Sequence, residues 1–105
     1  MIEPKLLENR VERRFHELVA TWKASLGVSS SLTEMFAHRS YRDIIELGEP
    51  AVPLLLSELE REPDWWFAAL KAISGADPVT PDNRGKLMEM TRAWLDWGRV
   101  RGYRW

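Results

Sequence analysis

Cysteine is absent from this 105-residue chain, and that one absence excludes a disulfide scaffold, a thiolate metal site and a cysteine nucleophile together. Long apolar runs are missing too, and no stretch approaches the roughly 20 residues needed to cross a bilayer. The opening residues Met1-Ile2-Glu3-Pro4-Lys5-Leu6-Leu7-Glu8 carry acids and lack the unbroken apolar core of a signal peptide. The expectation is a cytoplasmic protein with no membrane partner. A surplus of one charge is also lacking: the net charge of −1 is too close to neutral to make nucleic acid the default partner. Glycines occur singly, without a phosphate-cradling loop of either common kind.

What is present has an ordinary globular balance, 45% hydrophobic and 30% charged residues, and the length suits a single domain over residues 1–105. No segment alternates apolar and polar residues with β-branched enrichment, so no β-sheet is expected. The expected class is all-α, with five to six helices in a single bundle.

The first helix is expected from Pro4, which suits a first helical turn, to Gly27. Its apolar stripe is Leu7, Val11, Phe15, Leu18, Trp22 and Leu26, and Glu12 can pair with His16 one turn on. Ser31 with Glu34 has the form of a capping box, opening a short segment with Leu32, Met35 and Phe36. Ser40 with Asp43 has a similar spacing and predicts a helix through Tyr41, Ile44, Ile45 and Leu47 that stops at Gly48. Ser31 to Leu47 reads equally as one kinked helix or two.

Pro50 restarts the chain, and Val52, Leu55, Leu56 and Leu59 predict a buried face opposite Ser57, Glu58, Glu60 and Arg61. Asp64 is a suitable N-cap for a helix over Trp65 to Ser74, closed by Gly75. Thr80-Pro81-Asp82 reads as cap, first helical residue and dipole-matched acid, so the last helix is expected to begin near Pro81. Leu87, Met90, Trp94 and Trp97 form its stripe. Fraying is expected from Gly98 to Gly102, with residues 99–105 as a loose tail.

Several of these features stand at fixed offsets. Leu47-Gly48 ends one helix, Ala51-Val52-Pro53-Leu54-Leu55 opens the next with Leu59 completing its stripe, Asp64 marks the turn, and Ala68-Ala69-Leu70-Lys71-Ala72-Ile73 precedes Gly75. In these residues the stretch from Tyr41 to Gly75 resembles a HEAT-like repeat of the short, PBS-lyase type. The resemblance implies a helical hairpin in a protein-interaction scaffold, with no chemistry or cofactor of its own. Such repeats usually place Val-Arg after the turn aspartate, where this chain has Trp65-Trp66-Phe67.

No catalytic or metal-binding constellation emerges. His16 lacks the second histidine of a zinc-protease helix, and His38 reads as a helix terminus or turn. Glu58, Glu60, Glu62 and Asp64 read as a solvated face. The compositional anomaly is six tryptophans. Trp22, Trp66, Trp94 and Trp97 fit buried stripes, whereas Trp65, Trp66 and Phe67 together are the candidate partner-binding anchor. A second candidate contact, for protein or nucleic acid, is Arg92, Arg99, Arg101, Tyr103, Arg104 and Trp105 near the end of the sequence.

Charge is unevenly placed. Tyr41 to Trp66 holds seven acids against two bases, and Arg84 to Trp105 six bases against two acids. Pairing between them within the fold is preferred over two opposed faces. The leading functional reading is a non-enzymatic module, such as an antitoxin, immunity protein or adaptor, that binds another protein. The alternative is a nucleic-acid-binding regulator using the basic end.

Overall fold

The computed structural model describes residues 4–25 and 32–105, with side chains over 10–25 and 35–105. Among the described residues the helices are α1 (Pro4–Ser25), α2 (Leu32–Ala37), α3 (Arg39–Glu46), α4 (Ala51–Arg61), α5 (Phe67–Ser74) and α6 (Leu87–Val100), with a 3-10 turn at Pro81–Asn83. No strand occurs among the described residues. The class is all-α, as composition and periodicity predict. No helix among them is long and apolar enough to cross a membrane.

The chain divides into two units, Met1–Ala51 and Val52–Trp105. The division falls inside the stretch with repeat-like text, placing α3 in the first unit and α5 and α6 in the second.

In the first unit α1 and α2 both pack on α3. Phe15, Leu18, Val19 and Trp22 are buried, the i, i+3, i+4, i+7 pattern of one helix face. Val19 widens the stripe expected from sequence. The indole of Trp22 donates through Nε1–H to the Met35 carbonyl at 2.9 Å, a carbonyl in the last turn of α2 that also accepts the His38 N–H at 3.4 Å. Tyr41 of α3 is fully buried, its ring 5.5 Å from Trp22 and 5.3 Å from Phe36. One α3 residue thereby joins aromatic rings from both other helices.

Residues 32–46 form two helices, separated at His38, whose ψ of 137° leaves the helical region. His38 is the N-cap of α3: its Nδ1 accepts from the Ser40 N–H at 3.1 Å. The cap expected at Ser40 is therefore corrected. Ser40 lies inside the helix and is buried, and a ring nitrogen two residues earlier serves the free N–H group. Asp43 instead stands 3.9 Å from both Arg14 and Arg39. The expected Glu12–His16 pair forms at 3.8 Å on the exposed side of α1. Leu26, Gly27 and Ser31, expected above in a stripe, at the end of the first helix and in a capping box, lie outside the described residues.

In the second unit the α4 stripe of Val52, Leu55, Leu56 and Leu59 is fully buried. Glu58 is buried as well, only 2% exposed, which corrects its assignment to a solvated face. It flanks the stripe, three residues after Leu55, and the guanidinium of Arg61 one turn on binds its carboxylate. A carboxylate taken out of water requires such a partner.

Helix α5 begins two residues later than predicted. Asp64 accepts the Trp65 N–H on its carboxylate and the Trp66 N–H on its carbonyl, each at 2.8 Å, so these residues form a turn and the helix opens at Phe67. Gly75 closes it as expected, its N–H bonded to the Lys71 carbonyl at 2.9 Å.

The start of α6 is displaced further. Pro81 opens only the 3-10 turn, because Asn83 to Lys86 then makes a type II turn. Arg84 lies at φ −61°, ψ 133°, Gly85 at φ 84°, and the Lys86 N–H reaches the Asn83 carbonyl at 3.1 Å. Position i+2 of this turn needs positive φ, which glycine adopts without strain. Helix α6 therefore starts at Leu87 and packs on α5.

Two stability predictions follow from these local devices. His38→Ala removes the α3 cap and is expected to cost about 1 kcal/mol, while His38→Asp restores most of it. Urea unfolding of the two variants checks this, and equal stability of His38→Ala and the parent would refute the cap.

The second concerns Asp77, 3.3 Å from Lys71 of α5 and 3.6 Å from Arg84 in the turn before α6. The hydrogen bond from Lys71 above all, aided by the charges of Lys71 and Arg84 and the Val79 N–H, holds its carboxyl below the ordinary 3.8 against a smaller opposing effect of burial. A depressed carboxylate pKa stabilises the fold above the unfolded value, and that contribution is lost as pH falls through the folded value. The thermal-midpoint advantage over Asp77→Asn is expected at neutral pH, shrinking with added salt and vanishing in acid. An advantage that persists in strong acid contradicts the clasp.

Candidate functional site at the end of helix α6

Helix α6 ends in a Schellman motif. Gly102 takes φ 86°, its N–H reaches the Arg99 carbonyl at 3.1 Å, and the Tyr103 N–H reaches back to the Gly98 carbonyl at 3.0 Å. These are the 5→2 and 6→1 bonds that satisfy carbonyls otherwise orphaned at a helix C-terminus. The apolar contact that accompanies such a motif is present: the Tyr103 ring stacks on Trp97 with centroids 5.5 Å apart. Trp97 in turn meets the buried Trp94 edge to face at 5.1 Å.

Gly98, expected to fray, is buried within the helix. A Cβ there would stand 2.6 Å from Leu56 Cδ1 and 3.0 Å from Trp105 Cζ3. Leu56 of α4 approaches this backbone more closely than a Cβ tolerates, and the Trp105 ring stands at the tight limit of contact. The loose tail expected over residues 99–105 is thus corrected: the Schellman bonds reverse the chain, and Trp105 folds back onto Gly98.

The same reversal gathers most of the second predicted set. Arg99 lies 3.2 Å from Glu60 and 3.3 Å from Asp96, with its guanidinium 5.5 Å from the Trp105 ring centroid. The Glu60–Arg99 pair is the predicted link between the acidic middle and the basic end. It is surface-exposed, so its worth is below about 1 kcal/mol. Arg101 lies 5.6 Å over Trp97. Glu60, Arg99, Tyr103, Arg104 and Trp105 line an open groove of about 400 Å³. Arg92 and Arg101 are exposed but do not line it.

The other predicted set does not assemble at the surface. Trp66 is fully buried and Phe67 is 6% exposed, because the turn at Asp64 places Trp66 at the N-cap position of α5 with its ring in the core. Trp65 is half-buried, edge-on to Phe67 at 5.8 Å. The three-residue anchor is therefore corrected to at most one partly open ring.

Glu60 is exposed as expected, but sequence reasoning missed its place in the groove against Arg99, and it missed Gly98, read as a point of fraying. A signal for the second was present in Gly102 with aromatic residues at 97 and 103, the spacing of a Schellman cap and its apolar contact. Nothing local marks Glu60, whose partner is 39 residues away. Among the described residues, no three histidine or acidic side chains stand close enough together to hold a metal ion. His38 is occupied as a helix cap, and His16 lies against Phe15 and Glu12. No known protein family, curated protein or solved structure matches this chain.

Gly98→Ala tests the closure on which the groove depends. In an open helix the change gains about 0.5–1 kcal/mol, but here overpacking costs about 1–3 kcal/mol. A net loss near 1 kcal/mol, with altered tryptophan emission, is expected in urea unfolding. A stabilised variant would show that the approach of Leu56 and Trp105 is not tight.

Proposed function

We propose that this chain is a protein-binding module without chemistry of its own, of the antitoxin, immunity or adaptor kind, acting in the cytoplasm through the groove at the end of α6. The observation that carries this reading is the fixing of Tyr103, Trp105 and Arg99 by the Schellman closure and the approach at Gly98. Aromatic and arginine side chains dominate protein-interaction hot spots, and groups already held in place lose less freedom on binding. The repeat-like text over Tyr41 to Gly75 supports the same reading, with α4 and α5 as the hairpin of an interaction scaffold.

The second reading, a nucleic-acid-binding regulator, draws on Arg92, Arg101 and Arg104, none of which has a carboxylate within ion-pair distance among the described residues. It ranks lower because Glu60 stands in the groove and, with Asp96, neutralises Arg99. A carboxylate in the lining opposes a phosphate backbone.

A photo-crosslinking residue at position 104, expressed in the native host, is expected to trap one protein in stoichiometric yield. The same residue at position 21, on the exposed side of α1, is expected to trap none. Equal trapping from both positions, or trapping of nucleic acid alone, overturns the proposal.

A further inference from the structure

The groove holds charges of both signs beside the rings of Tyr103 and Trp105, and their arrangement is selective. Two guanidinium groups at this end lie over tryptophan rings, Arg99 over Trp105 and Arg101 over Trp97. Stacking occupies the face of a guanidinium and leaves its edge donors available. For Arg99 those donors already meet Glu60 and Asp96. Arg104 lines the groove, is exposed, and has no carboxylate within ion-pair distance among the described residues. Lys86 to Trp105 carries five bases and two acids in a chain whose net charge is −1. The local surplus is positive, and of the groove's two arginines Arg104 is the one without a carboxylate partner among the described residues.

From this we infer that the groove receives an extended acidic peptide segment of a partner protein, with a partner carboxylate on Arg104 and an apolar partner side chain against Tyr103 and Trp105. The inference rests on the protein-binding reading above and names the chemistry of the partner. The planar fork of an arginine matches a carboxylate with two parallel hydrogen bonds. Glu60 favours a peptide over a polyphosphate, because a peptide backbone offers N–H donors alongside its acidic side chains, whereas a phosphodiester chain offers only acceptors near its charges. Complementary charge of this kind sets partner choice and association rate.

The test uses the full chain labelled with nitrogen-15, titrated with a short synthetic peptide of glutamate, glycine and phenylalanine. The controls are the same peptide with glutamine for glutamate and a single-stranded oligothymidylate. Saturable shifts of the Trp105 and Trp97 indole N–H signals are expected with the glutamate peptide. Binding of the glutamine peptide is expected to be weaker by about tenfold or more, equivalent to about 1.4 kcal/mol. Arg104→Glu is expected to weaken the glutamate peptide by a similar factor, with Arg104→Gln intermediate and the thermal midpoint of both unchanged. Equal binding of the two peptides, or none by the glutamate peptide, overturns the inference. If the crosslink at position 104 still captures a protein, only the acidic chemistry is wrong. Tighter, steeply salt-dependent binding of oligothymidylate at the same signals removes both this inference and the protein-binding reading.

Discussion

At Gly98 the absence of a side chain decides how the second unit ends. Leu56 from α4 occupies space that a Cβ would need, and Trp105 from the end of the chain stands at the tight limit of contact. The helix can therefore lie against α4 while the chain after it folds back along the same turn. The Schellman bonds from Gly102 and Tyr103 make that return geometrically specific. From the return follow the Tyr103–Trp97 stack, the placement of Arg99 between Trp105 and Glu60, and the groove itself.

The first unit depends on a different kind of junction. Tyr41 brings the rings of Trp22 and Phe36 together, and the Trp22 indole satisfies a backbone carbonyl at the end of α2. The large rings supply buried area, and the N–H supplies orientation. Helices of six and eight residues are too short to persist in isolation. Their order comes from these contacts and from the His38 cap rather than from propensity.

Much of the architecture was legible because helix faces repeat every three or four residues. Phe15, Leu18 and Trp22, and the full α4 stripe, are buried as their spacing implies. Punctuation was legible where the signal is chemical and local, as at Gly75. It failed where two signals competed. Thr80-Pro81-Asp82 has every mark of a helix start, yet the type II turn at Arg84-Gly85 ends that turn and defers α6 to Leu87. Asp64 does serve free N–H groups, but in a turn that delays α5, and the delay carries Trp66 and Phe67 inward.

The sequence by itself determined the helical class, the apolar faces, the shortness of its apolar runs and the enrichment of arginine and aromatic residues near position 105. Each is a property of composition or short-range spacing, and helical periodicity converts spacing into a face directly. Only the tertiary structure decided that Glu58 is buried beside Arg61, that Trp66 belongs to the core, and that the final residues fold back into an ordered groove. Those outcomes depend on which groups distant in the chain come to share space. Burial of a charge requires a partner close in space, and a buried glycine acquires meaning only from what packs against it.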